Sequence, residues 1–143
     1  MQFEVMNRLD ARYATYEPIA PKTIIISLTD TGTEPNRFHW QPWLRDVLEL
    51  QFLDVEEGEL HCITREQAKI ISKFARKHYK NVERIIVHCE FGQCRSAAVA
   101  AAICEYFEGH DNGIWRNPAY YPNRTCYRYV RDALKRRWFY SKK

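Results

Sequence analysis

The sequence predicts an α/β domain built on a central, mostly parallel sheet of four to five strands flanked by helices. Three observations carry that expectation. Short β-branched runs alternate along the chain with segments of helical period, the pattern of strand–helix–strand units. One such run, ending at His88, leads within eight residues into an Ala-rich segment that is apolar on nearly every face. The chain is 143 residues long and 45% hydrophobic, enough for one compact core and uncomfortable for two, so residues 1–143 are read as a single domain.

Phe3-Glu4-Val5 is a candidate edge strand. Lys22-Thr23-Ile24-Ile25-Ile26-Ser27-Leu28 reads as a buried strand closed by the turn Asp30-Thr31-Gly32. Between Val47 and Val55 the apolar residues Leu48, Leu50, Phe52 and Leu53 predict a second strand in the later part of that stretch. An acidic loop follows, Asp54-Val55-Glu56-Glu57-Gly58-Glu59. Thr64 and Gln67 have capping-box spacing, and Ala68, Ile71, Phe74, Ala75 and His78 keep helical period, so a helix is expected to about Tyr79. Arg84-Ile85-Ile86-Val87-His88 predicts a strand, and Ser96 to Phe107 a buried helix stopped by Gly109. The span 111–123, with Gly113, Pro118, Pro122 and several aromatics, reads as a packed loop. A last helix is expected over about 125–138, with Tyr127, Val130, Leu134 and Trp138 on one side.

Composition excludes collagen-like, mucin-like and largely disordered classes. No apolar run approaches the roughly 20 residues of a membrane helix, and the first residues lack signal-peptide grammar. Five scattered cysteines argue against a disulfide scaffold and for a reducing cytosol. The net charge of +4 is uneven: from Arg124 to Lys143 eight basic residues stand against Asp132 alone, a local +7 that leaves −3 on residues 1–123. A solvated helix face is the expected meaning of that run, with binding of nucleic acid through the basic C-terminal helix as the lesser alternative.

The segment that carries chemistry is His88-Cys89-Glu90-Phe91-Gly92-Gln93-Cys94-Arg95-Ser96. A strand–loop–helix junction aims successive backbone N–H groups into the loop, and the helix N-terminus adds partial positive charge. Such a cradle binds a tetrahedral dianion, held here by the amides of Glu90, Phe91, Gly92, Gln93, Cys94 and Arg95. Gly92 supplies the conformational freedom of the turn. The planar fork of Arg95 can take two phosphate oxygens. The same field lowers the pKa of a thiol at the base, making Cys89 a thiolate nucleophile near neutral pH. Ser96 is placed to hydrogen-bond the sulfur as a leaving group, and His88 to orient the loop from behind. Two other readings are weaker. Cys89 as an inert buried thiol leaves the rest of the pattern unexplained, and Cys89, Cys94 and His88 as metal ligands lack a second ligand pair.

Cys-x5-Arg-Ser, here Cys89 to Ser96, resembles the signature of the cysteine-dependent protein tyrosine and dual-specificity phosphatases. The likeness runs in order from Ile24–Asp30 through Phe52-Leu53-Asp54 to the helix after Ser96, and is similar to the small stand-alone enzymes of that kind in bacteria and phages. A rhodanese-like sulfur-transfer loop resembles it less well, closing one residue sooner. The resemblance implies a phosphotyrosine-phosphatase-like fold and hydrolysis of phosphomonoesters through a phosphocysteine. Phosphotyrosine is the first substrate expected, then phosphoserine and phosphothreonine. It implies no metal or other cofactor and a phosphorylated protein or other phosphomonoester as partner; a monomer without membrane attachment is expected.

The resemblance also implies an aspartate, from a loop between a strand and the helix before the nucleophile's strand, as the acid that protonates the leaving oxygen. Asp54 occupies that place; Asp30 is the runner-up, with Glu56 and Glu57 as near neighbours of Asp54. Trp40, Trp43, Trp115, Tyr120 and Tyr121 are candidates to wall the pocket, although ordinary packing is the commoner role for each. Inert packing is likewise the default for Cys94 and Cys104, a resolving disulfide with Cys89 being the reactive alternative. Two competing functions remain: a phosphate-binding module that has lost turnover, and a phosphatase of RNA 5′ ends that uses the basic helix.

Overall fold

The structure, a computed structural model, describes the backbone of residues 1–140 and the side chains of residues 1–135. In chain order the elements are β1 (Gln2–Met6), α1 (Arg8–Ala14), β2 (Thr23–Thr29), β3 (Leu44–Gln51), α2 (Arg65–His78), β4 (Arg84–His88), α3 (Arg95–Glu108) and α4 (Arg124–Tyr140). The four strands form one parallel sheet in the order β1-β4-β2-β3. The expected α/β class and flanked parallel sheet are present, with four strands.

The period of two along each strand sorts its side chains between two cores. Ile24, Ile26 and Leu28 of β2, with Ile85 and Val87 of β4, face a large core closed by α2, α3 and α4. Ile25 and Ile86 point the other way, into a smaller core with Ala11 of α1, Trp43 and Leu44. With both faces covered, β2 is buried at all seven positions, which is why it reads as a continuous apolar run.

Local chemistry sets the helix ends. Thr64 caps α2 through a complete capping box with Gln67, as its spacing predicts. The run Ala97 to Cys104 of α3 is fully buried, and Gly109 ends the helix in the left-handed conformation. In α4, Val130 and Leu134 are buried as expected, and Tyr127 is half-buried against Trp115. Trp138, Arg136, Arg137, Lys142 and Lys143 lie outside the described side chains. Of the described basic residues of α4, Arg128 pairs with Glu57 and Arg131 with Asp132. Among the described residues no helix is long and apolar enough to cross a membrane.

Two elements differ from expectation. The second strand is β3, Leu44–Gln51, so it starts before Val47 and ends before Phe52. Its pairing with β2 stops at Thr29↔Gln51, where β2 itself ends, and Arg45, Asp46 and Glu49 interrupt the apolar pattern on this edge strand. Helix α1 was not anticipated, although its signal is present: Asn7 caps it, accepting from the Asp10 N–H at 2.7 Å.

Candidate active site

A parallel sheet brings the carboxyl ends of all its strands to one edge, and the chemistry gathers there. Beyond β2 lies Asp30, beyond β3 Phe52 to Asp54, beyond β4 Cys89, and beyond β1 Asn7 and Arg8. A cavity of about 280 Å³ opens at this edge, lined by Asp30, Leu53, Asp54, Val55, Cys89, Phe91, Cys94 and Arg95.

Cys89 sits at its base, 2% exposed, with Sγ 3.0 Å from the Ser96 hydroxyl. Burial pushes the thiol's pKa up, but the Ser96 hydroxyl, the N–H groups of Ser96 and Gly92, and the Arg95 charge together outweigh it. The net shift is downward, toward thiolate. The other four cysteines move the opposite way. Burial raises Cys94 and Cys104 to about 11, and raises Cys62 and Cys126 as well. Cys104 lies nine residues into α3 from Arg95, roughly 13 Å along the helix axis, beyond the reach of a disulfide with Cys89.

The Arg95 guanidinium is 4% exposed and held at one corner. Its Nη1 donates to the Phe52 carbonyl at 2.6 Å and pairs with Asp30 Oδ1 at 2.8 Å. Its Nε is buried with no hydrogen-bond partner among the described residues. A buried, unsatisfied donor on a cation is costly unless a ligand completes it. In a cavity floored by a cysteine whose pKa is lowered, the fitting ligand is an oxyanion that spans the fork.

The loop between Cys89 and Arg95 is fixed on both sides. Toward β1, Glu90 pairs with Arg8 at 3.2 Å, and its carbonyl accepts the Arg8 N–H. Gly92 packs directly on that junction with φ +70°; a Cβ there would stand 2.6 Å from Asn7 N and from Met6 C. Toward α4, the carbonyls of Gln93 and Cys94 accept the N–H groups of Tyr121 and Asn123. From below, buried His88 donates through Nδ1 to the Cys89 carbonyl at 3.2 Å, which leaves Nε2 to accept from Ser27 Oγ at 2.6 Å. Burial lowers His88 to about 4, so the ring is neutral.

The candidate acids separate cleanly. Asp54 is exposed at the cavity wall, with Oδ1 accepting from Asn123 Nδ2 at 2.7 Å. Asp30 also lines the cavity but is committed to Arg95. Glu56 and Glu57 do not line it: Glu56 accepts from Thr125, and Glu57 is bound by Arg128 and the Tyr129 hydroxyl. Of the aromatic candidates, Trp40, Trp43, Trp115 and Tyr120 do not line the cavity; Trp43 is buried in the smaller core, its Nε1 donating to the Glu17 carbonyl. Tyr121 lines an adjoining space of about 390 Å³ together with Asp54 and Cys94. The aromatic in the cavity wall is Phe91, 81% exposed. Asn36, Asn123 and Arg8, unremarked in sequence, complete the supports: Asn36 donates to the Arg8 carbonyl and contacts His88. Asn123 follows a proline and precedes a predicted helix, a cap signal that hints at its place.

No family model and no curated protein matches the chain. Solved structures do. Human DUSP28 aligns with a TM-score of 0.63 at 11% identity over 99% of this chain and 95% of its own. The structure of PTPMT1 aligns with a TM-score of 0.57 at 14% identity over 99% and 96%. Tk-PTP in its active form gives 0.57 at 14% identity over 94% and 90%. At such low identity the likeness is one of fold: the chain has the fold of the dual-specificity and tyrosine phosphatases.

Proposed function

We propose that the protein is a cysteine-dependent phosphatase that hydrolyses phosphomonoesters through a phosphocysteine. One observation carries the reading. The Cys89 thiol, its pKa lowered, lies at the base of a cavity beside Arg95, whose buried Nε lacks a partner. Sulfur attacks phosphorus in line, an S–P bond forms, and the P–O bond to the leaving group breaks. Arg95 and the loop amides from Glu90 to Arg95 hold the three equatorial oxygens as charge spreads over them.

Asp54 gives its proton to the departing oxygen. It then takes one from the water that attacks the phosphocysteine, while the Ser96 hydroxyl stabilises the sulfur as it leaves. Asp54 suits this role better than Asp30, because Asp30 Oδ1 is already committed to Arg95 Nη1 at 2.8 Å. Phosphotyrosine, phosphoserine and phosphothreonine are the substrates to assay first.

The test is hydrolysis of para-nitrophenyl phosphate and phenyl phosphate with chelator present. Wild type is expected to turn over both. Cys89→Ser is expected to fall to background, and Asp54→Ala to lose about a hundredfold or more on phenyl phosphate. Activity that survives Cys89→Ser would overturn the mechanism. A wild type that binds vanadate but turns over neither ester would make the protein a phosphate-binding module instead.

A further inference from the structure

A second cavity, of about 310 Å³, lies between α1 and the loop that follows Cys89. It is contiguous with the first, because Phe91 stands in the wall of both. Leu9 of α1 lines it too and is 52% exposed, so two large apolar side chains border one depression. Exposed apolar groups scattered singly need no explanation. A pair lining a cavity at the rim of a reactive site marks a place where something binds.

The charges around this groove decide the class of ligand. Arg8 is committed, pairing with Glu90 at 3.2 Å and donating to the Glu34 carbonyl at 2.8 Å. Asp10 is exposed and accepts from the Asn7 amide at 3.2 Å. Arg12 is the remaining cation; it is half-buried, and its Nε is buried with no hydrogen-bond partner among the described residues. Two arginines thus stand against two carboxylates, and the groove carries no net charge. Nucleic acid and anionic lipid both select surfaces of net positive charge, so neither fits. What Arg12 lacks is an acceptor that brings no charge of its own, such as a peptide carbonyl. A polypeptide in extended conformation supplies a carbonyl at every residue and apolar side chains between them.

We infer that this groove docks the residues flanking the phosphorylated side chain of a polypeptide substrate. An apolar flanking side chain packs against Leu9 and Phe91, and a flanking carbonyl accepts from Arg12. The inference rests on the phosphatase reading given above, and it narrows the substrate from phosphomonoesters in general to phosphopolypeptides with apolar flanks. Because the groove adjoins the reactive cavity, the residues it meets are the first two or so beside the phosphoresidue, at about 3.3 Å each.

The experiment measures kcat and KM for para-nitrophenyl phosphate and for two phosphotyrosyl peptides. The peptides are identical except that the two residues on each side of the phosphotyrosine are leucine in one and serine in the other. Wild type, Leu9→Ser, Arg12→Gln and Cys89→Ser are compared, with thermal melts of each. Wild type is expected to favour the leucine peptide by about tenfold or more in kcat/KM. Leu9→Ser should reduce that preference to about threefold or less through KM, with kcat and the rate on para-nitrophenyl phosphate unchanged. Arg12→Gln should raise KM for both peptides by about fivefold and leave their ratio and the small ester alone. Leu9 is exposed, so Leu9→Ser should melt with wild type, which keeps the test decisive if Arg12→Gln proves unstable.

A wild type that treats the two peptides alike, or a preference that survives Leu9→Ser, would overturn the inference and leave the phosphatase reading intact. Hydrolysis of a phosphatidylinositol phosphate in vesicles that falls in Leu9→Ser, while the peptide ratio does not, would give the groove to lipid and overturn it too. If wild type hydrolyses none of the esters, or Cys89→Ser retains activity, the phosphatase reading fails first and the inference goes with it.

Discussion

The phosphate loop and the acid loop meet in one cavity but are held in opposite ways. The first is local. Eight residues from Cys89 to Ser96 contain the proposed nucleophile, the cation and the hydroxyl, and the main chain makes most of the contacts that shape the loop. The second is assembled from a distance. Asp54 and its neighbours are held by Asn123, Thr125, Arg128 and Tyr129, whose contacts span 68 to 72 residues of sequence. The proposed anion site is thus shaped within one segment, whereas Asp54, the proposed proton donor, is exposed and held by Asn123 just before α4. Substitutions that disturb backbone geometry should therefore damage the first region far more than the second.

Two glycines with similar positive φ give the sharpest break of that contrast. Gly92 lies at φ +70° with backbone atoms 2.6 Å from a new Cβ; Gly58, in the acid loop, lies at φ +90° with nothing within 4 Å. Gly92→Ala adds a collision with the β1–α1 junction to the backbone strain, and the loop cannot shift without moving its amides off the phosphate. A loss of about a hundredfold or more in kcat/KM on para-nitrophenyl phosphate is expected, with weaker inhibition by vanadate. Gly58→Ala carries the strain alone and should cost less than about threefold. Equal effects would show that the two loops are not held differently.

Asp30 sharpens the comparison from the other side, since it lines the cavity yet serves the anion site. Its carboxylate fixes Arg95 Nη1 at 2.8 Å. Asp30→Asn weakens the pair and lets the fork wander, so about a tenfold loss is expected, equal for phenyl phosphate and para-nitrophenyl phosphate. A loss confined to phenyl phosphate would make Asp30 the proton donor in place of Asp54.

The same division explains what was legible in the sequence. Cys89, Gly92, Arg95 and Ser96 could be placed because strand, turn and helix follow one another within the segment that holds them. The start of α2 was readable from Thr64 and Gln67 for the same reason. Asp54 could be nominated by its place in the order of elements, but the local sequence could not separate it from Glu56 and Glu57. That separation depends on α4, which turns the two glutamates toward Thr125, Arg128 and Tyr129. Packing was the commoner role expected for Trp43, and the smaller core beneath α1 takes it, although an aromatic before a strand gives no sign of which face it will join. Phe91 lines the cavity because the loop backbone sets its direction, which residue type alone does not encode.

The smallest expected effect concerns the floor of the phosphate loop and appears in stability before activity. His88 is buried and neutral, its folded pKa lowered to about 4 from an ordinary value of 6.5. Between those values the unfolded chain binds a proton that the folded chain does not, so stability falls as pH drops through 6.5 toward 4. From pH 6.5 to 5, above most carboxylate titration, the loss from this one ring is about 1.5 kcal/mol. Urea unfolding across that window should show the slope in wild type, and His88→Asn, less stable at pH 7, should flatten it by about that amount. An unchanged slope in the variant would mean that the ring reaches a proton partner in the folded state. In that case Nε2 would carry a proton and could not accept from Ser27 Oγ, although Nδ1 would still donate to the Cys89 carbonyl.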